Sequence, residues 1–170
     1  IGNLRRYEWG IYKFVWDQHY YFADGNNEFR GPMVAPGQYL VRLGYAGGYL
    51  EQSYAYKINP ELEAFGTCLE DLREQEELSL RGANLCVDIN QTISAIKKEM
   101  EKTKNKKTAA LLAEKLKQLE TGPKRYDKPM LQDNAVYLFE MISHTPQKLG
   151  RDAFERYETL HEQFEQLKSK

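Results

Sequence analysis

The sequence predicts an α+β protein: a small antiparallel β-sandwich-like unit over residues 1–60, then an antiparallel bundle of three to four helices over residues 61–170. Three observations carry this expectation. Residues 1–60 hold 9 of the 12 Tyr, both Trp and 8 of the 12 Gly, but only 11 charged residues; residues 61–170 hold 38 charged residues, 3 Tyr and no Trp. Aromatic, glycine-punctuated sequence favours strands and turns, whereas Leu/Glu/Lys/Gln-rich sequence favours helices. Apolar spacing changes at the same place, from alternation to steps of three and four. At the boundary stands Ile58-Asn59-Pro60, where proline ends a strand ladder and disfavours helix in the residue before it.

In the first half, Tyr12 to Asp17 reads as an aromatic strand, and Gln18 to Asn27 ends in Ala23-Asp24-Gly25-Asn26-Asn27, which is loop chemistry. Gly31-Pro32-Met33-Val34-Ala35-Pro36-Gly37 reads as a proline- and glycine-set turn into the strand Gln38 to Leu43. Tyr39, Val41 and Leu43 share one face of that strand; Gln38, Leu40 and Arg42 share the other. Ala46-Gly47-Gly48 is expected to form a tight primed turn on the positive φ of a glycine pair. The return strand, Tyr49 to Ile58, alternates Leu50, Gln52, Tyr54 and Tyr56 against Glu51, Ser53 and Ala55. A hairpin preceded by one more strand barely suffices for independent stability.

In the second half, Leu69, Leu72, Cys86, Ile89, Ile93, Ile96 and Met100 mark one long amphipathic helix, with Gly82 as the place where it could break. Lys102 to Thr108 reads as a solvated charged turn. Ala109, Leu112, Leu116 and Leu119 mark a second helix, stopped at Thr121-Gly122-Pro123. A third runs from about Pro129 to Ser143, with Leu131, Ala135, Leu138, Phe139 and Ile142 inward. The fourth carries the seam Ala153, Tyr157, Leu160, Phe164 and Leu167. Two starts fit it: Thr145-Pro146 as cap and first turn, or Asp152 to Glu155 as a capping box. The long first helix outruns its neighbours. These stripes can satisfy one another within one chain, but apolar surface around Leu69, Leu72, Leu78 and Leu80 is expected to mediate association, with another part of the parent protein or with a second copy, unless the β half covers it.

Charge and composition narrow the function. With 24 Lys+Arg against 25 Asp+Glu the net charge is −1, which gives no global reason to bind nucleic acid or an anionic membrane. No apolar run approaches the roughly 18 residues of a membrane span. The chain opens at Ile1 without Met or leader, the expectation for a fragment or processed product. Cys68 and Cys86 lie about 27 Å apart on an unbroken helix, too far to pair; a break at Gly82 would permit a bridge. His19, His144 and His161 lack metal-ligand spacing, and no nucleophile–base or paired-carboxylate set stands out. No catalytic residue, metal or cofactor is assigned.

The β half nevertheless carries a signature: Phe14-Val15-Trp16-Asp17, then Gly31-Pro32 and Pro36-Gly37-Gln38-Tyr39-Leu40-Val41-Arg42-Leu43, then Gln52 to Asn59-Pro60. It resembles the C-terminal module that follows the β-propeller in secreted bacterial proteins with Asp-box (bacterial neuraminidase-type) repeats, which are sortilin-like or described as glycosyl hydrolases. The resemblance implies an Ig-like β unit followed by helices, and a secreted, periplasmic or cell-surface location. It makes Trp16, Asp17, Gly31, Pro32, Pro36, Gly37 and Tyr39 fold residues. Two departures stand out: Asn59-Pro60-Glu61 replaces the family's usual Asp-Pro-Arg, and Ile1 to Gly10 is too short for all the strands the family places before Trp-Asp. Those strands lie upstream, or the sandwich is a reduced one. The function it implies is a non-catalytic accessory or interaction module, with the parent propeller or a second copy as partner. Any hydrolase activity would belong to sequence outside this chain, since no Ser-x-Asp-x-Gly-x-x-Trp box occurs here. The alternative is a carbohydrate-binding module using a surface of Tyr20, Tyr21, Tyr45 and Tyr49, with Tyr7 and Tyr12 adding to the excess.

Overall fold

The computed structural model describes residues 13–24, 27–124 and 126–169. Tyr7, Tyr12, the Ile1–Gly10 stretch and Gly25-Asn26 of the expected loop lie outside them. The fold is α+β, with two small antiparallel two-stranded sheets followed by a helical region. Strands β1 (His19–Asp24) and β2 (Asn27–Met33) form the first sheet, β3 (Gly37–Tyr45) and β4 (Gly48–Tyr56) the second. The helices are α1 (Pro60–Ala64), α2 (Leu69–Lys102), α3 (Lys106–Leu119), α4 (Leu131–Ser143) and α5 (Arg151–Lys168).

The β3–β4 hairpin follows the sequence pattern. Tyr39 faces Tyr54, Val41 faces Gln52 and Leu43 faces Leu50, so the alternating sets meet as expected. The turn differs in detail. Positive φ falls on Gly48 (143°), the first residue of β4, and not on the two central residues Ala46 and Gly47.

The strand expected over Tyr12–Asp17 is absent where it can be seen: Lys13–Asp17 has no strand pairing. Asp17 explains why. Its carboxylate accepts from the Tyr21 hydroxyl (2.9 Å), the Arg30 guanidinium (3.1 Å) and the His19 backbone N–H (3.3 Å). Gln18 then takes a left-handed φ of 61°, which turns the chain out of any ladder. Of the expected loop, Ala23-Asp24 ends β1 and Asn27 begins β2, and the expected Gly31-Pro32 turn lies within β2. Pairing runs Tyr21 to Arg30 but His19 to Met33, so β2 carries one extra residue at Gly31-Pro32. A bulge accepts a proline that lacks an N–H. Gly31 is required there, since a Cβ would stand 2.6 Å from the Phe22 ring.

The helical region is built on α2, 34 residues and about 50 Å long. Leu78, Leu85, Cys86, Ile89, Ile93 and Ile96 of α2 form one core with Leu119 of α3, Leu131, Ala135, Leu138 and Ile142 of α4, and Tyr157, Leu160, Phe164 and Leu167 of α5. Each fully buried aliphatic side chain contributes roughly 1.5–3 kcal/mol. Met100, Phe139 and Ala153 pack at its margin. Helix α2 does not break at Gly82, which lets Phe139 and Ile142 of α4 come close. Cys68 and Cys86 stay free, and burial pushes the Cys86 thiol up to about 12, with Glu140 adding to the effect. Helix α5 begins at Arg151 with Gly150 as its cap residue, so neither expected start matches it. Short α1 was not expected, although Asn59 caps it by accepting from the Glu61 N–H (3.0 Å) and Pro60 opens it.

The apolar surface expected to mediate association is covered in part from within the chain, Leu69 and Leu80 staying half-buried. Leu72 and Leu78 are buried, and β1 and β2 pack on α2. Pro32, Val34, Tyr56, Leu72, Glu76 and Ser79 close around a cavity of about 30 Å³. The physical reason is that the Pro32–Pro36 stretch is buried and apolar, so it covers the part of α2 that lacks a helical neighbour.

Two outcomes test this packing. Gln75 is buried; its amide donates to the Ile142 and Thr145 carbonyls (both 2.7 Å) and accepts from the Gln147 N–H (2.9 Å). Gln75→Ala strands those groups and should lower unfolding free energy by about 2–3 kcal/mol in urea titration with unchanged slope. Gly82→Ala should do the opposite. The new methyl meets Ile142 Cδ1 at 3.5 Å, ordinary contact, so helix propensity dominates and stability should rise by about 0.5–1 kcal/mol.

Candidate interaction surface

The hairpin register separates its two faces by chemistry. One face carries Tyr39, Val41, Leu43 and Tyr45 from β3 with Leu50, Gln52, Tyr54 and Tyr56 from β4, and no charged group. The other carries Arg42 and Glu51, paired at 2.6 Å, with the Arg42 guanidinium also stacked 4.7 Å over the Tyr49 ring. The second face is satisfied in water. Among the described residues, the first is covered at its base, where Trp16 meets Tyr39 (5.2 Å, 64°) and Tyr54 (6.2 Å, 75°) edge to face. Further along it, Val41 is 53% exposed, Leu43 49%, Leu50 62% and Tyr45 56%. A groove of about 540 Å³ runs from Phe14–Trp16 to Tyr39, Val41 and Tyr54.

The signature residues take fold roles around this base. Tyr39 donates its hydroxyl to the Ala35 carbonyl, Pro32 and Pro36 are buried, and Gly37 opens β3 opposite Tyr56. The Tyr56 hydroxyl reaches Met33 Sδ at 3.8 Å, tying the two sheets together. Burial pushes the Asp17 carboxyl up, but the Tyr21 and His19 hydrogen bonds and the His19 and Arg30 charges outweigh it and hold it low. Asp17 is a turn-organising carboxylate.

The four candidate tyrosines do not form one platform. Tyr20 and Tyr21 are consecutive in β1, so they point to opposite sides. Tyr20 is a latch: its hydroxyl donates to Glu76 on α2 (2.9 Å), and burial with that carboxylate raises it to about 12. Tyr45 and Tyr49 belong to opposite faces of the second sheet. Attention to tyrosines missed the aliphatic part of the surface, Val41, Leu43 and Leu50. Their alternation was readable; that no second layer covers them was not.

Among the described residues no cluster of three His, Cys, Asp or Glu could hold a metal ion, and no helix is long and apolar enough to cross a membrane. His161 stacks on Tyr157. Comparison with family models, curated proteins and solved structures returns no match for the chain.

One ion pair gives a measurable pH dependence. Asp71 accepts from the Cys68 N–H (2.9 Å) and thiol (3.1 Å), and Lys148 lies 3.2 Å away. Those bonds hold its carboxyl at about 2. A depressed carboxyl stabilises the fold above its unfolded value near 3.9 and loses that contribution as pH falls toward 2. The difference in urea midpoint between the native chain and Asp71→Asn should therefore be full at neutral pH and vanish over that acid window.

Proposed function

We propose that the chain is a non-catalytic interaction module, of the kind that follows the propeller in secreted Asp-box proteins. In this reading the β unit is one layer of an Ig-like sandwich, the helices form an antiparallel bundle that carries it, and the partner is the parent propeller or a second copy. One observation carries the reading: an uncharged apolar hairpin face, half exposed over four consecutive cross-strand positions, backs onto a polar face that is already satisfied. Contiguous apolar surface of that kind marks an interface, and a two-stranded hairpin needs a covered face to be stable.

The purified chain should turn over neither aryl glycosides nor peptides, because among the described residues no acid–base pair or activated nucleophile stands at an open groove. In the gene that encodes it, Ser-x-Asp-x-Gly-x-x-Trp repeats are expected ahead of Ile1. Turnover abolished by a single carboxylate substitution would overturn the non-catalytic reading. A gene without such repeats would overturn the propeller assignment.

A further inference from the structure

We infer that the uncharged face of the β3–β4 hairpin closes against the same face of a second copy of this chain, stacking two hairpins into a two-layer, four-stranded unit. The inference rests on the interaction-module reading and names the surface and the occupant.

Three features select a copy over other partners. The first is charge. Every side chain on the face is uncharged, and only Lys13 stands at the groove rim. A partner with an acidic or basic surface would bury an unpaired ion there, whereas a copy presents a second uncharged face.

The second is area. The exposed parts of Val41, Leu43, Tyr45, Leu50 and Tyr54, with the adjoining Phe14-Val15, amount to roughly 700 Å² from their fractional exposures. Two copies would bury roughly 1,400 Å², inside the range of stable protein interfaces.

The third is Gln52. It sits mid-strand opposite Val41, the one amide among apolar neighbours, and its side chain has no hydrogen-bond partner among the described residues. Covering the face with purely apolar surface would strand one donor group and one acceptor. A two-fold axis near the middle of the face brings Gln52 against its own symmetry mate, and two amides each supply the donor and acceptor the other lacks. The polar face, with Arg42 and Glu51 paired, is left in solvent.

Light scattering and sedimentation of the whole chain from micromolar to sub-millimolar concentration should show a concentration-dependent dimer. Leu43→Lys with Leu50→Lys should weaken it by more than roughly a hundredfold with unchanged far-UV circular dichroism, since both side chains are about half exposed in the single chain. Tyr137→Lys, on an exposed part of α4, should leave the dimer intact. Gln52→Cys in a Cys68→Ser background should crosslink two chains on mild oxidation, a readout that survives if the lysine variant misfolds. A monomer at every concentration overturns the inference, as does a dimer indifferent to the lysine pair or one that crosslinks through Tyr137→Cys and not through Gln52→Cys. A monomer would leave the interaction-module reading to its own test on the gene and on turnover.

Discussion

Two adjacent side chains on α2 hold the molecule together. Gln75 turns its amide to the α4–α5 connection, where it bridges Ile142, Thr145 and Gln147. Glu76 turns its carboxylate to the β unit, accepting from the Tyr20 hydroxyl (2.9 Å) and the Ala35 N–H (3.1 Å). Neither interaction is strong alone; Gln75 satisfies groups that would otherwise be buried without a partner, a penalty that exceeds the net value of the bonds, while the exposed Tyr20–Glu76 bond serves to orient the β unit. The apolar stripe of α2 supplies the cohesion; this pair supplies the orientation. Ser79 adds a second bond to the Ile142 carbonyl (3.3 Å), so one turn of helix fixes both neighbours.

That fixation has a consequence for the second sheet. The first sheet is locked to α2 by Glu76 and by buried Val34 and Ala35. The second touches the rest through Trp16, the Tyr39 hydroxyl and the Tyr56–Met33 contact, all at its base. Beyond Val41 the hairpin extends with its apolar face in water. A face of that composition is stable when something covers it, and the absence of charge restricts what can do so without leaving a buried ion unpaired. The surface is thus defined as much by the Arg42–Glu51–Tyr49 cluster behind it as by the residues on it, because that cluster assigns the solvent side.

Much of this was legible in the residues. Three- and four-residue spacing located α2, α4 and α5 with their inward sides, since helix amphipathicity is a local, periodic property. Alternation and a Gly pair located β3 and β4 and their register. What misled was chemistry acting at intermediate range. Trp16-Asp17 has strand-like composition, yet Asp17 binds Tyr21, Arg30 and His19 and turns the chain. Gly31-Pro32 has turn-like composition, yet it is a bulge within β2. A carboxylate's partners and a bulge's register lie several residues away, beyond the window that local propensity reads.

By itself, then, the sequence determined where helix and hairpin form and which side of each is apolar, because both follow from the period of the backbone. Tertiary structure alone decided which apolar sides are covered. Leu72 disappears under the Pro32–Ala35 stretch and Leu78 into the helical core, while Val41, Leu43 and Leu50, equally apolar, remain in solvent. Burial depends on what the rest of the chain brings alongside, and no local pattern encodes that.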